Sequence, residues 1–225
     1  MINLLHIDTT GEQAVVCLSE DGQLLAVTIN HVPRDHASFV HTAIQDLCMK
    51  TALRLQDLHG IVVSNGPGSY TGLRVGLSTA KGICYALDKK LILVSTLEVL
   101  AAEAIEHAKS EPCTIIPLID ARRMEVFTAV FNNSRQLIAE PHPMILNALS
   151  FGEYLDQGPV YFIGDGMKKF REVCAHPQAR FVNRLAPGIK LAKLGHEQYK
   201  SGRFDDLGHA EPFYIKEHQS FNNPF

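Results

Sequence analysis

The stretch from residue 65 to residue 82 reads NGPGSYTGLRVGLSTAKG, and it joins a short apolar strand at residues 61–64 to a helix predicted at residues 71–87. Glycine permits a positive φ and a close approach of other backbone. The spacing of these glycines matches neither the dinucleotide-binding motif nor the Walker phosphate loop. We therefore interpret them as a tight crossover packed under neighbouring backbone, with an anion cradle as the alternative. The structural glycines are Gly66, Gly68, Gly72 and Gly76.

The flanking sequence predicts three strands upstream and further strand–helix pairs downstream. The three strands, at residues 4–7, 14–18 and 24–29, are joined by short turns and must be antiparallel neighbours. A helix with an apolar stripe follows at residues 34–51. A buried strand at residues 91–94 and a helix at residues 96–108 come after the glycine stretch. This order, β-β-β-α-β-α-β-α, resembles the ribonuclease H-like unit of the actin, sugar-kinase and Hsp70 superfamily.

A second series of strands begins after a boundary at Ser110-Glu111-Pro112. Its expected elements are strands at residues 114–119, 126–131 and 160–163, and helices at residues 167–174 and 187–199. We predict an α/β, two-lobed actin-like (ASKHA) fold, in which each lobe is a ribonuclease H-like mixed sheet with helices on its faces. The predicted lobes are residues 1–109 and a reduced second lobe, residues 110–225, that ends in a loose tail.

Composition excludes several classes of protein. The 225 residues carry a net charge of -3, with 7 basic and 9 acidic residues up to Leu100 and 14 and 15 after it. Tight tRNA binding requires several Lys or Arg that neutralise phosphates, so this chain alone is a poor candidate. The five cysteines form no CxxC pair, which argues against a zinc site or a disulfide framework. Neither a membrane span nor a signal peptide is present, so we expect a cytoplasmic protein without a membrane partner.

The first predicted helix contains two histidines that are candidate metal ligands. His36 and His41 are five positions apart, so they point about 140° away from each other on a helix. Chelation of one ion requires a spacing of three or four residues. We therefore predict no metal site. His36 is expected to be a partly buried histidine at the edge of the core, and His41 to face solvent or an interface.

Three polar loops follow strand ends, where nucleotide-binding members of the superfamily hold phosphates and magnesium. They are Asp8-Thr9-Thr10, Asp120 with its following residues, and Gly164-Asp165-Gly166. Asp8 and the threonines can also simply cap a tight turn. Ala121 stands where a phosphate-approaching glycine is typical, and a lone GxG is weak evidence. We interpret all three loops as vestigial rather than as a live nucleotide site.

Each of the two long helices of the first lobe carries a second stripe beside its core stripe. These stripes contain small, aromatic or singly charged residues, unlike the Lys- and Glu-rich face of a solvated helix. From the pattern alone, an ordinary exposed face and a partner-binding face are equally supported. The candidate partner-binding residues are Ala37, His41, Ile44 and Cys48 on the first helix and Arg74, Ser78, Lys81 and Tyr85 on the second.

The glycine stretch closely resembles the signature of the TsaB (YeaZ) family of tRNA threonylcarbamoyladenosine biosynthesis proteins. Supporting motifs are IDTT at residues 7–10, RDHAS at 34–38, DARRMEV at 120–126, GDG at 164–166 and EPFYIK at 211–216. The resemblance therefore covers nearly the whole chain. It is looser at two places, because Lys216 stands where arginine is expected and residues 132–158 carry no family motif.

The resemblance implies a non-catalytic partner subunit. The family is a degenerate relative of TsaD, which binds a metal through a histidine pair and transfers threonylcarbamoyl to N6 of adenosine 37 in tRNAs that read ANN codons. The implied partners are TsaD, bound through the first two helices, and the ATPase TsaE. The resemblance further implies a homodimer when the chain is alone, and contact with tRNA only through the complex. It implies no cofactor of the chain's own, with ATP or ADP at the complex interface.

A stand-alone enzyme of the superfamily is the alternative. The spacing of His36 and His41 argues against a metallopeptidase, and the shortened second lobe with Ala121 argues against a nucleotide-dependent kinase.

Overall fold

The first five strands form one mixed sheet in the computed structural model, which describes residues 1–32, 35–108, 112–183 and 188–216. They are β1 (Asn3–Asp8), β2 (Ala14–Glu20), β3 (Gln23–Asn30), β4 (Gly60–Gly66) and β5 (Lys90–Ser95), in the order β3-β2-β1-β4-β5. The first three strands are antiparallel neighbours, whereas β4 is parallel to both β1 and β5. The parallel pairs require crossovers, which the helices of this lobe supply.

Three helices follow the strands of this sheet: α1 (His36–Thr51), α2 (Tyr70–Leu87) and α3 (Thr96–His107). The apolar stripes of α1 and α2 pack together on one face of the sheet, with Val40, Leu47 and Leu77 fully or nearly fully buried. Helix α3 lies on the other face. The helix predicted from residue 34 begins at His36, and Arg34 lies outside the described residues. No helix in the described part of the chain has the length and hydropathy required to span a membrane.

The second sheet repeats the topology of the first. Its strands are β6 (Thr114–Asp120), β7 (Glu125–Asn132), β8 (Leu137–Ile145), β9 (Val160–Ile163) and β10 (Ala179–Phe181), in the order β10-β9-β6-β7-β8. Its crossover helices are short: α4 (Gly152–Leu155) has 4 residues and α5 (Met167–Val173) has 7, against 16 in α1. The predicted two-lobed α/β fold with a reduced second lobe is therefore confirmed. Strands β8 and β10 and helix α4 were not predicted.

The last helix, α6 (Ile189–Lys200), packs on the first lobe. Leu191 and Leu194 lie against Leu4 and Val62 of the first sheet, on the face that α3 also covers. The prediction that residues 110–225 form one lobe is corrected here, because the apolar stripe of α6 is buried on the first sheet. Residues 110 and 111 of the predicted boundary, the predicted helix start at Pro187 and the predicted loose tail at residues 218–225 lie outside the described residues.

The two lobes are joined on the side of α3. Leu97 and Leu100 of this helix pack against Ile115 and Ile163 of the second sheet. An ion pair at the surface reinforces the junction, because Arg135 lies 2.6 Å from Glu197 of α6 and also contacts α3. On the opposite side, the loops at the ends of β1 and β6 face each other across a cleft.

Candidate functional site

The glycine stretch is a packed crossover between β4 and α2. A Cβ atom placed on Gly68 would lie 2.6 Å from the carbonyl oxygen of Thr10, and one on Gly72 would overlap the carbonyl oxygen of Thr9. Gly66 has a φ of 122°, and its backbone lies against the carbonyl of Phe213. The hydroxyl of Thr9 donates to the Gly72 carbonyl at 2.7 Å. Backbone packing therefore accounts for these glycines without any ligand.

The first of the three polar loops is closed by its own side chains. Asp8 Oδ1 accepts hydrogen bonds from the Thr10 amide at 3.1 Å and from the Thr10 hydroxyl at 2.6 Å. Asp8 is buried, and Thr9 is bonded to α2. This carboxylate caps the turn between β1 and β2, and the Thr9 hydroxyl joins that turn to the N-terminal end of α2.

The second loop, between β6 and β7, is bound by a lysine side chain of α5. Lys169 Nζ lies 3.1 Å from Asp120 Oδ2, and it donates to the carbonyl oxygens of Arg123 and Glu125 at 2.7 Å each. Asp120 Oδ1 accepts from the Arg122 amide at 2.6 Å. Both carboxylate oxygens of Asp120 are thus engaged within the protein, and the lysine ammonium supplies the positive charge beside them.

The third loop is packed against β6. Gly164 has a φ of 108°, and a Cβ atom on it would overlap the carbonyl oxygen of Leu118. The Gly166 amide donates to the same carbonyl at 3.0 Å. Asp165 Oδ1 accepts from the Asp120 amide at 2.8 Å, and burial raises the pKa of the Asp165 carboxyl. The two glycines of this loop serve the contact with β6.

The structure brings parts of all three loops to one cleft between the lobes. The cleft has a volume of about 870 Å³, and its lining includes Thr10, Gly68, Tyr70, Asp120, Arg122 and Asp165. A nucleotide with its magnesium ion fits these residues poorly. The carboxylate of Asp120 already has a lysine partner, and the glycines approach protein backbone rather than open space.

The two histidines of α1 are separated as their spacing predicts. His36 is 8% exposed, and its Nε2 donates to the Gly11 carbonyl at 3.0 Å. His41 is exposed on the outer side of the helix. Within the described residues, no group of three His, Cys, Asp or Glu side chains is arranged to hold a metal ion.

The outer side of α1 differs from the predicted stripe at one residue. Ala37 and His41 are exposed and Cys48 is half-buried, but Ile44 is 5% exposed and lies in the core with Val40. The assignment of Ile44 as a partner-binding residue is therefore corrected. At about 100° per residue, position 44 lies about 40° around the helix from position 40 and about 60° from position 41, so it falls nearer the buried side of Val40.

The exposed apolar residue on the outer side of α1 is Met49 rather than Ile44. It is 67% exposed, and with Gln45 it continues the line of exposed residues from Ala37 and His41 at four-residue steps. The signal was present in the sequence as this four-residue repeat.

The outer side of α2 matches the predicted stripe, with one addition. Arg74 and Ser78 are exposed, and Tyr85 is 85% exposed. Lys81 is half-buried, and its Nζ donates to the Ala210 carbonyl at 3.0 Å. Gly82 was missed: it is exposed, and a Cβ atom there would meet nothing within 4 Å.

Together these residues form part of the exposed surface of the helix pair, which also includes Ser38, Thr42 and Lys50 of α1 and Thr71 and Ala86 of α2. We name this part the α1–α2 face, and define it by Ala37, His41, Gln45, Met49, Arg74, Ser78, Gly82 and Tyr85. Arg74 is the only Lys, Arg, Asp or Glu among these eight residues. Solvated helix faces are rich in charged residues, whereas protein interfaces are enriched in tyrosine, methionine and arginine. This face has its low charge and its exposed tyrosine, methionine and arginine in common with protein interfaces.

Comparison with known proteins identifies relatives of this chain. The family model for TsaD, tRNA N6-adenosine threonylcarbamoyltransferase, matches residues 28–200. The tRNA threonylcarbamoyladenosine biosynthesis protein TsaB of Bacillus subtilis is 31% identical over 167 residues, which are 72% of this chain and 71% of that protein. The TsaB protein of Escherichia coli is 27% identical over 224 residues, covering 96% of this chain and 95% of its own length.

The solved structures agree with the sequence relatives. YeaZ from Pseudomonas aeruginosa superposes with a TM-score of 0.81 at 24% identity, and the match covers 95% of this chain and 100% of that chain. The sequence relatives and the family model confirm the family predicted from the glycine stretch, and this chain belongs to the TsaB family of tRNA threonylcarbamoyladenosine biosynthesis proteins.

Proposed function

We propose that this protein is the non-catalytic subunit that binds and supports TsaD in threonylcarbamoyl transfer to tRNA. Its relatives are named for threonylcarbamoyladenosine biosynthesis, and the family model that matches most of the chain is that of the transferase itself. The observation that carries the proposal is the α1–α2 face, a set of eight exposed residues on the two helices of which one, Arg74, is charged.

The geometry of this face suits helix-on-helix docking. Ser78 and Gly82 are one turn apart on α2, so a helix of the partner can approach closely there. Tyr85 and Met49 offer large, exposed side chains as anchors at the same surface. A specific interface of this kind buries about 1,600 Å² in total, and a few central residues contribute most of its binding energy.

The chemistry of transfer belongs to the partner in this proposal. The interlobe cleft lacks a free carboxylate at Asp120, which argues against a kinase, and the separation of His36 from His41 argues against a metallopeptidase. The chain then has no cofactor of its own, and ATP or ADP binds only at the interface of the complex. TsaE joins through the same assembly, tRNA is contacted only there, and the complex acts in the cytoplasm.

In the absence of TsaD, the same face makes a homodimer. The subunits are relatives, so a surface that fits TsaD is close to self-complementary.

The decisive experiment places a bulky charge at the centre of the α1–α2 face. Ser78→Arg should leave the melting temperature close to that of the wild type, because Ser78 is exposed, and should abolish association with purified TsaD in size-exclusion chromatography. Ser201→Arg, on an exposed residue after α6, is the matched control and should still bind. A Ser78→Arg protein that still forms the complex and supports transfer at the normal rate would overturn the proposal.

A further inference from the structure

The chain after α6 returns along the first lobe as residues 203–216, a segment with one turn at residues 207–209, which we name the strap. It begins beside β5, where the Asp205 amide donates to the Leu91 carbonyl at 2.9 Å and the Leu93 amide donates to Asp205 Oδ2 at 2.7 Å. It continues beside the glycine stretch, where the Phe213 amide donates to the Asn65 carbonyl at 2.7 Å. The strap therefore lies along the flank of α2.

Two basic side chains of α2 are held by the strap. Lys81 Nζ donates to the carbonyl of Ala210 at 3.0 Å. Arg74 Nε donates to the hydroxyl of Tyr214 at 3.2 Å. The Arg74 guanidinium also lies 4.2 Å from the centre of the Tyr70 ring, and the rings of Tyr70 and Tyr214 are 5.1 Å apart.

We infer that Tyr214 is a positioning residue for the α1–α2 face, and that it presents the Arg74 guanidinium to a carboxylate of the docking partner. This inference rests on the proposed function, because it concerns the same surface. Tyr214 occupies the Nε donor and the Tyr70 ring covers one side of the guanidinium. Among the described residues, no hydrogen bond engages the two terminal nitrogens, so both can make a paired contact, which is the geometry that arginine forms with a carboxylate.

The advantage of this arrangement is preorganisation. A free arginine loses conformational entropy when an interface immobilises it, and that loss weakens binding. On this surface the tyrosine pair fixes Arg74 before the partner arrives. Because Arg74 is the only charged member of the α1–α2 face, its position also sets where an acidic group of the partner must lie.

The test is a double-mutant cycle on association with purified TsaD. Tyr214→Phe keeps the ring and removes the hydroxyl, so the dissociation constant should rise by about two- to tenfold with little change in melting temperature. Arg74→Ala should weaken binding further and reduce the dependence of the dissociation constant on salt. The double variant should bind no worse than Arg74→Ala alone. Tyr199→Phe, on α6 at the opposite face of the sheet, is the control and should bind normally.

The outcomes separate the two proposals. If the effects of Tyr214→Phe and Arg74→Ala simply add, or if Tyr214→Phe has no effect while Ser78→Arg abolishes binding, the role of Tyr214 is overturned and docking through α2 stands. If Ser78→Arg, Tyr214→Phe and Arg74→Ala all bind normally, the docking surface itself is wrong. A fall in melting temperature that fully accounts for weaker binding by Tyr214→Phe would also overturn the positioning role.

Discussion

The ammonium group of Lys169 lies 3.1 Å from Asp120 Oδ2 and is also bonded to the carbonyls of Arg123 and Glu125. Arg122 and Arg123 both have a positive φ, of 72° and 48°, a conformation that is uncommon for residues other than glycine. The lysine therefore holds a strained turn between β6 and β7 in place.

We expect Lys169→Met to destabilise the protein by about 2 kcal/mol, because the Lys169 side chain is 13% exposed and its loss leaves Asp120 and two carbonyls without their charged donor. Denaturant unfolding measures the change. Lys168→Met, at the exposed neighbouring position, should change the free energy of unfolding by less than about 0.5 kcal/mol. Equal effects of the two substitutions would contradict the role of Lys169.

The glycines of α2 provide a second, matched pair. A methyl group on Gly72 would overlap the Thr9 carbonyl, so Gly72→Ala should lower the free energy of unfolding by more than about 2 kcal/mol. Gly82 is exposed with open space around it, so Gly82→Ala should raise stability by up to about 1 kcal/mol through helix propensity. Thermal melts of both variants compare the two sites directly. A well-folded Gly72→Ala protein would show that the crossover is looser than its contacts indicate.

A buried histidine predicts sensitivity to acid. Burial first, and the nearby His196 second, lower the pKa of His6 from 6.5 to about 3, and its Nε2 lies 2.7 Å from Ser19 Oγ. Because the pKa is lower in the folded state than in the unfolded one, this residue stabilises the fold above pH 6.5. That contribution should be lost progressively as the pH falls from about 6.5 towards about 3.

The measurement is melting temperature against pH for His6→Gln. This variant should be less stable at pH 7 and should show a flatter loss between pH 6.5 and 4 than the wild type. His41→Gln, at an exposed position of α1, should follow the wild-type curve. Parallel curves for the wild type and His6→Gln would assign the acid sensitivity to other groups.

The elements of the first lobe could be predicted from the sequence because their apolar residues follow clear strand or helix patterns. Strands such as β1 and β4 are short apolar runs bounded by turns, and α2 carries seven buried positions at helical spacing. Strand β8 has no such signal, because Pro141 and Pro143 interrupt it and it lies at the edge of its sheet. Its position is fixed by pairing with β7, which a local pattern does not reveal.

In the candidate site, too, local helical patterns could be predicted from the sequence, whereas contacts between distant residues could not. The exposed stripe of α2 follows from helical spacing, and so does the separation of His36 from His41. The contacts of Lys169 with Asp120 and of Tyr214 with Arg74 join residues 49 and 140 positions apart, so only the folded chain brings them together. The packing of α6 on the first lobe is also set by tertiary structure. Its sequence shows an apolar stripe, but that stripe does not indicate which of the two lobes buries it.

Ile44 and Tyr85 test which residues belong to the core and which to the docking surface. Ile44 is 5% exposed within the core of the first lobe, so Ile44→Ala should cost about 2–5 kcal/mol of stability. Tyr85 is 85% exposed, so Tyr85→Ala should leave the melting temperature nearly unchanged.

For association with TsaD, we expect Tyr85→Ala to have the larger effect and Ile44→Ala the smaller one. Tyr85→Ala removes a large anchor and should raise the dissociation constant by about thirtyfold or more, which corresponds to the cost of about 2 kcal/mol or more at a central interface residue. Ile44→Ala, measured at a temperature where it remains folded, should bind within about threefold of the wild type. The two variants are compared by thermal melt and by titration with purified TsaD. The opposite result would be a Tyr85→Ala protein that binds normally together with a folded Ile44→Ala protein that fails to bind. In that case the partner binds the α1 side of the helix pair, and the α2 half of the α1–α2 face is ordinary surface.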